Sequence, residues 1–310
     1  MTENKLPQRH EVFLTDGGIE TMLIFDDGQD LPNFAAFHLL QTQDGQAALH
    51  QYFERFISVA TAARTGFILE SPTWRANPDW GDTLGYSSSD LASANRAAIG
   101  MMHALRNRYQ TSSSRMLVSG CVGPRGDGYV PSALMSPHEA ADYHDAQIAT
   151  FADAGIDLVT AITMTNAAEA TGVARSAARC GIPCVISFTV ETDGRLPSGQ
   201  TLQEAIQDVD GASGTAPAYY MINCAHPTHF DEALVTGLPW LNRIGGLRAN
   251  ASRKSHAELN ESTELDRGDP DDLGRHYRAL RARLPGLRVM GGCCGTDHRH
   301  VAAIAAAVLA

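Results

Sequence analysis

The chain has 310 residues and a formal net charge of −11, with its basic residues scattered, which argues against nucleic acid as a main partner. No apolar run approaches the ~20 residues of a membrane span, and the polar start, residues 1–11, lacks the apolar core of a signal peptide. The composition reads as a cytoplasmic protein, where six cysteines are expected to be free, metal-bound or catalytic rather than paired in disulfides.

Residues 12–15 form a short apolar run closed by Asp16-Gly17-Gly18, a strand and its turn. Residues 47–63 place Leu49, Tyr52, Phe53, Phe56, Ile57 and Ala60 on one side of a helix. Residues 67–69 predict a second strand ending at Glu70, and residues 90–109 a second helix. Residues 116–119 predict a third strand that runs into Gly120, Cys121 and a Gly/Pro loop. Ser136-Pro137-His138-Glu139 is a capping box with proline at the first helical position, and its helix runs to Ala154-Gly155. Strand four is expected at 156–161, a helix at 167–179, strand five at 183–190 and a helix at 202–209. Strand six, 218–222, ends at Asn223-Cys224. A short helix at 230–235 precedes strand seven at 243–247. The polar stretch 250–270 is expected as a long loop, a length usually functional or mobile. A helix at 273–284, strand eight at 287–290 and a helix at 300–309 close the chain.

Strict alternation of short apolar strands with helices argues a parallel sheet. Eight such units in this length fit a single-domain (β/α)8 TIM barrel over residues 12–310, preceded by an N-terminal arm, 1–11. No GxGxxG opens an early helix, so a dinucleotide-binding domain is disfavoured.

In such a barrel the active site lies at the C-terminal ends of the strands. Asp16-Gly17-Gly18, Glu70 to Trp74, Cys121, Thr163 to Asn166, Asn223-Cys224 and Cys293-Cys294 would then share one face. Strands six and eight are separated by one strand, so Cys224, Cys293 and Cys294 can converge. Three thiolates with an open position suit catalytic Zn2+ rather than a closed structural site. A substrate thiol in the open position would lose its proton at neutral pH. Cys180 and Cys184 fall at the opposite end and are expected to pack. Cys121 is expected as core or pocket wall. His226, His298 and His300 are expected as exposed loop or first-turn residues, with support of the thiols as the other reading.

These residues resemble the homocysteine S-methyltransferase family over nearly the whole chain. Thr15-Asp16-Gly17-Gly18, Ser119 to Pro124, Ser187 to Val190 followed by Asp193-Gly194, Ile222-Asn223-Cys224 and Gly291 to Thr296 carry the likeness. The resemblance implies a (β/α)8 barrel, zinc held by Cys224, Cys293 and Cys294, and methyl transfer to a thiol, homocysteine giving methionine. It places Asp16, Gly17 and Gly18 against the amino acid moiety of the acceptor, with Glu70, Thr163 and Asn223 as further substrate-binding candidates. Both partners would be small molecules, an acceptor thiol and a methyl donor, and a homo-oligomer is compatible with this reading.

One position departs from the family. Ile162 stands where the family has a glutamate that receives the substrate ammonium. Either Glu70, Glu191 or Asp16 takes over, or the acceptor is a different thiol or a selenol. Trp74 and Trp80, with Tyr86, are candidates to bind a sulfonium or quaternary ammonium donor through cation–π attraction; packing of a long loop is the other reading. A non-catalytic zinc-binding barrel and a barrel lyase or isomerase, using Gly291-Gly292 for phosphate, complete the alternatives.

Overall fold

Eight short, almost wholly buried strands leave no face for water, and the computed structural model curls them into a closed barrel in the order β1 to β8. It describes residues 6–130, 134–214 and 216–310. The chain runs β1 (Phe13–Leu14), α1 (Ile19–Phe25), α2 (Gln43–Ala63), β2 (Gly66–Glu70), α3 (Pro78–Thr83) and α4 (Ser88–Tyr109). It continues β3 (Met116–Val122), α5 (Pro137–Asp153), β4 (Leu158–Met164), α6 (Ala167–Arg179), β5 (Cys184–Thr189) and α7 (Leu202–Ser213). Then come β6 (Pro217–Asn223), α8 (Pro227–Phe230), β7 (Ile244–Ala249), α9 (His256–Asn260), α10 (Pro270–Arg283), β8 (Val289–Gly292) and α11 (His298–Leu309). All neighbouring strands pair parallel, and β1 closes on β8 through Phe13↔Val289. Parallel pairing with helices outside buries both strand faces, which is why the strands read as unbroken apolar runs.

Inside the barrel Phe13, Ile68, Leu117, Leu158, Val185, Met221 and Val289 form one apolar plug. Leu6, from the expected arm, is buried with them, so this part of the arm belongs to the barrel. The capping box at Ser136 forms, with the Glu139 amide donating to Ser136 Oγ at 3.3 Å and the Ser136 amide to Glu139 Oε2 at 2.8 Å.

The structure revises the sequence reading in four places. The 250–270 loop contains a helical turn, α9, opened by a Ser255–Glu258 capping box. The expected helix at 230–235 is instead α8 followed by a tighter turn, Asp231–Ala233. Short α1 and α3 were not expected, because one turn or two leaves too little periodicity to read. Strand four runs on to Met164 through a register shift between Ala161 and Met164, and the bulge turns Thr163 into the left-handed region at φ 65°.

Candidate active site

Strand β7 is the ruler on which the thiols are set. The Cys224 amide donates to Arg248 O at 3.1 Å, and the Cys293 amide to Ala249 O at 2.9 Å. Just beyond, the Ala251 amide donates to Cys294 O at 3.1 Å, and Asn250 Nδ2 to Cys224 O at 3.0 Å. Two loops that follow different strands are thus tied to the end of the strand between them. Cys224 itself adopts φ 56°, a conformation that a non-glycine residue holds only when its surroundings impose it.

The result is one sulfur cluster. Cys224 Sγ lies 3.0 Å from Cys293 Sγ and 3.4 Å from Cys294 Sγ. Glycines make the close turn possible: a Cβ at Gly291 would meet Thr15 Oγ1 at 1.9 Å, and one at Gly292 would meet Thr296 Oγ1 at 1.9 Å. Hydrogen bonds from the Cys224 and Cys294 thiols hold Cys293 well below the ordinary thiol range. Three thiolates around one ion at a bond length of ~2.3 Å stand roughly 3.8 Å apart. The three sulfurs could therefore hold a metal if the two Cys224 contacts opened by less than an ångström, and their sulfur-only donor set suits a soft or borderline ion.

A cavity of about 440 Å³ opens onto these sulfurs. Asp16, Gly17, Gly18, Glu70, Trp74, Cys121, Ile162 and Thr163 all line it with the three thiols. Asn223 stands behind the wall. Its Oδ1 accepts from the Thr163 amide at 3.0 Å and from Ser187 Oγ at 2.6 Å, while Nδ2 donates to Thr163 Oγ1 at 2.8 Å. It thereby fixes the strained Thr163 turn beside Cys293.

Asp16 is not a free acceptor. Arg248 Nη2 donates to its Oδ1 at 2.6 Å and Tyr52 Oη to its Oδ2 at 2.8 Å. Arg248 also donates to Gly292 O at 3.0 Å and Gly17 O at 3.2 Å, so one buried guanidinium joins the first turn to the thiol turn. Glu191 does not line the cavity; it faces His256 at 3.1 Å. Glu70 is buried with Oε2 unpartnered, and burial, countered by Arg248, pushes its carboxyl up to about 7.

That carboxyl carries a pH dependence. Between its ordinary value of 4.5 and about 7, the native state keeps a proton that the unfolded chain has released. Its stabilising contribution is full below pH 4.5 and lost as pH rises through 7. Wild type is expected to lose about 3 kcal/mol through this group from pH 4.5 to 8, and Glu70→Gln to lose that much less. Urea midpoints of the metal-free, reduced chains at the two pH values check it; equal slopes in both would refute it.

Sequence reasoning missed several residues that the fold brings in. Tyr129 carries its hydroxyl to 3.0 Å from Cys224 Sγ and 3.8 Å from Cys294 Sγ. His256 stacks on Tyr129 at 4.1 Å between ring centroids and meets Cys224 O at 2.5 Å. Tyr129 comes from a loop and His256 opens the short helix α9, and neither carried a spacing signal. Glu20, in the first turn of α1, and Arg75 also line the cavity. Trp74 lines it and donates to Ile162 O at 3.2 Å. Trp80 is not brought to the cavity; its indole donates to Gly126 O at 3.1 Å. Arg75 stacks on both indoles, at 4.6 and 3.8 Å from the centroids, so the chain's own cation already uses these faces.

His226 and His300, expected as exposed loop or first-turn residues, are buried. Each sits at a helix start, His226 capping α8 and His300 beside the Asp297 cap of α11. His226, Asp272 and His276 bring ligand atoms within 4.8 Å of one another. Arg253 and Arg275 hold Asp272 at 2.5 and 3.0 Å, and two guanidiniums there oppose a cation. Cys121 lines the cavity, as expected of a pocket wall.

Comparison with known proteins agrees with this geometry. A family model described as homocysteine S-methyltransferase matches residues 13–308. Homocysteine S-methyltransferase 4 of Zea mays is 24% identical over 261 residues, covering 78% of this chain and 75% of that protein. Homocysteine S-methyltransferase 2 of Arabidopsis thaliana is 26% identical over 267 residues, covering 76% and 77%. Among solved structures, the homocysteine methyltransferase MmuM from Escherichia coli in its oxidized form superposes with a TM-score of 0.77 at 19% identity, over 98% of this chain and 99% of that one. Its metallated form gives 0.71 at 18% identity, with 99% of each chain covered.

Proposed function

This chain belongs to the homocysteine S-methyltransferase family, and from that premise we propose that it moves a methyl group from a sulfonium or quaternary ammonium donor to homocysteine, giving methionine, with zinc held by Cys224, Cys293 and Cys294. The observation that carries this reading is the convergence of three sulfurs at one end of a cavity. When bound, zinc would supply the Lewis acidity that takes the proton from the acceptor thiol at neutral pH.

The chain's own residues do the rest. Tyr129 offers a hydroxyl to the sulfur cluster. Asn223 and Thr163 brace the wall next to Cys293. Arg248, held by Asp16, locks the Gly17 carbonyl to the thiol turn, so the acceptor's backbone and its sulfur are positioned by one rigid unit. Removing water and fixing the attack line is where such a site gains rate. Glu70, Gly17 and Gly18 would shape the acceptor pocket. Trp74 would serve the donor as an apolar wall, since Arg75 occupies its cation-binding face. No described helix is long and apolar enough to cross a membrane, and we place the chain in the cytoplasm.

A grid of donors (S-methylmethionine, betaine, S-adenosylmethionine) against acceptor thiols, read by mass spectrometry on the zinc-loaded chain, tests the reading. Methionine from homocysteine with one donor is expected. Absence of any methylated thiol across the grid would overturn it.

A further inference from the structure

Two cavity-lining groups of opposite charge remain unspent. Glu20 follows Gly18 by two residues and projects from the first turn of α1. Beyond its own backbone amide, no hydrogen bond or ion pair engages its carboxylate among the described residues, although it lies within electrostatic reach of Cys293, Asp16 and Arg75. Burial pushes this carboxyl up to about 7, as for a group lacking its counter-charge. Arg75 leaves Nε and Nη1 buried without an acceptor. Its flat faces are covered by Trp74 and Trp80, which offsets part of its desolvation through cation–π attraction but uses none of its donors. Asp127 and Tyr129 lie within its electrostatic reach, yet no carboxylate approaches it within 4.0 Å among the described residues. The Asp127 carboxylate is turned instead to the amides of Tyr129 and Val130, at 2.7 and 3.2 Å.

An acid and a guanidinium that line one cavity, sense each other and do not pair leave room for a ligand carrying both charges. We infer that Glu20 and Arg75 are the two poles of a slot for an α-amino acid zwitterion, with Glu20 receiving the ammonium and Arg75 the carboxylate of the acceptor. The inference rests on the proposed acceptor, homocysteine. It accounts for Ile162: the fourth strand supplies no acid because α1 does. Asp16 is already paired with Arg248, and Glu191 is turned to His256, so neither is available. Glu70 lies within reach of Arg248 and Asp16, whereas Glu20 lies within reach of Cys293 and Arg75. Guanidinium suits the other pole because its fork of donors matches a carboxylate. A sulfonium amino acid donor carries the same zwitterion, and the test separates the two sources.

The test is equilibrium binding to the zinc-loaded full chain by calorimetry. The probes are homocysteine, 4-mercaptobutyrate (no ammonium), 3-mercaptopropylamine (no carboxylate) and S-methylmethionine. Wild type should bind homocysteine about tenfold or more tighter than either truncated thiol. Glu20→Gln should erase the preference over 4-mercaptobutyrate and leave that analogue's affinity unchanged. Arg75→Gln should erase the preference over 3-mercaptopropylamine, and Arg75→Lys should restore part of it, which a merely structural arginine would not show. Glu191→Gln, at a carboxylate outside the cavity and turned to His256, should leave both preferences intact. The inference is overturned if wild type shows no preference, if Glu70→Gln removes the ammonium preference, or if only S-methylmethionine responds to the variants. Failure of the proposed function looks different: the probes would be discriminated as stated, and the donor grid would yield no methionine.

Discussion

Cys224→Ser is expected to leave the purified chain with less than about a tenth of an equivalent of zinc and to lower turnover by about a thousandfold or more. Serine is nearly isosteric, but its hydroxyl stays protonated at neutral pH and is too hard a donor to replace a thiolate. Cys224 lies nearest to both other sulfurs, at 3.0 and 3.4 Å, so its loss opens the cluster on two sides and removes the contact of the Tyr129 hydroxyl. The barrel should survive. Its interior is filled by Phe13, Ile68, Leu117, Val185 and their neighbours, none of which needs the ion. Metal analysis, methyl-transfer assays and circular dichroism on the same preparation make the check. Full zinc content with turnover within tenfold of wild type would mean that the three-thiolate centre is wrong.

Arg248→Met should cost about 3–5 kcal/mol in stability, because it leaves a buried carboxylate without its partner. The pair is deep: the Arg248 side chain is 7% exposed and that of Asp16 3%. Burial already raises the Asp16 carboxyl above its ordinary range, with Arg248 the main opposing influence. Methionine would raise it further and also abandon the Gly17 and Gly292 carbonyls. Activity should fall as well, since those carbonyls belong to the two turns that frame the site. Asp16→Asn in the same chain should recover part of the stability, and the resulting double-mutant cycle isolates the pair from the rest of the network. Urea denaturation at neutral pH reads all four proteins. A cost under about 1 kcal/mol, or strict additivity, would show that the pair contributes little.

Much of the molecule was legible along the chain. Short unbroken apolar runs and period-3.6 patterning located all eight strands and the long helices to within a few residues, because a strand buried on both faces and a long helix buried on one both write that burial into the sequence. Short α3 and α9 are held by side-chain caps and α1 by its neighbours, without an apolar stripe long enough to read, and they escaped. The thiols were legible for a related reason. Cys224 and Cys293-Cys294 each end a strand, and barrel closure sends every strand end to one rim.

What the sequence determined by itself is therefore the alternation, the rim and the residues whose chemistry has few other uses, three cysteines above all. What only the tertiary structure decided is which charges are spent. Asp16 looked like a substrate ligand until Arg248, 232 positions away, was seen to hold it. Trp74 and Trp80 looked open to a cation until Arg75 was found on their faces. Glu20 had no signal at all, standing in a helix too short to read. Pairing of charge is a matter of a few ångströms between segments far apart in the chain. No local pattern encodes it, and in this cavity it separates the groups that support the wall from the two that remain free for a ligand.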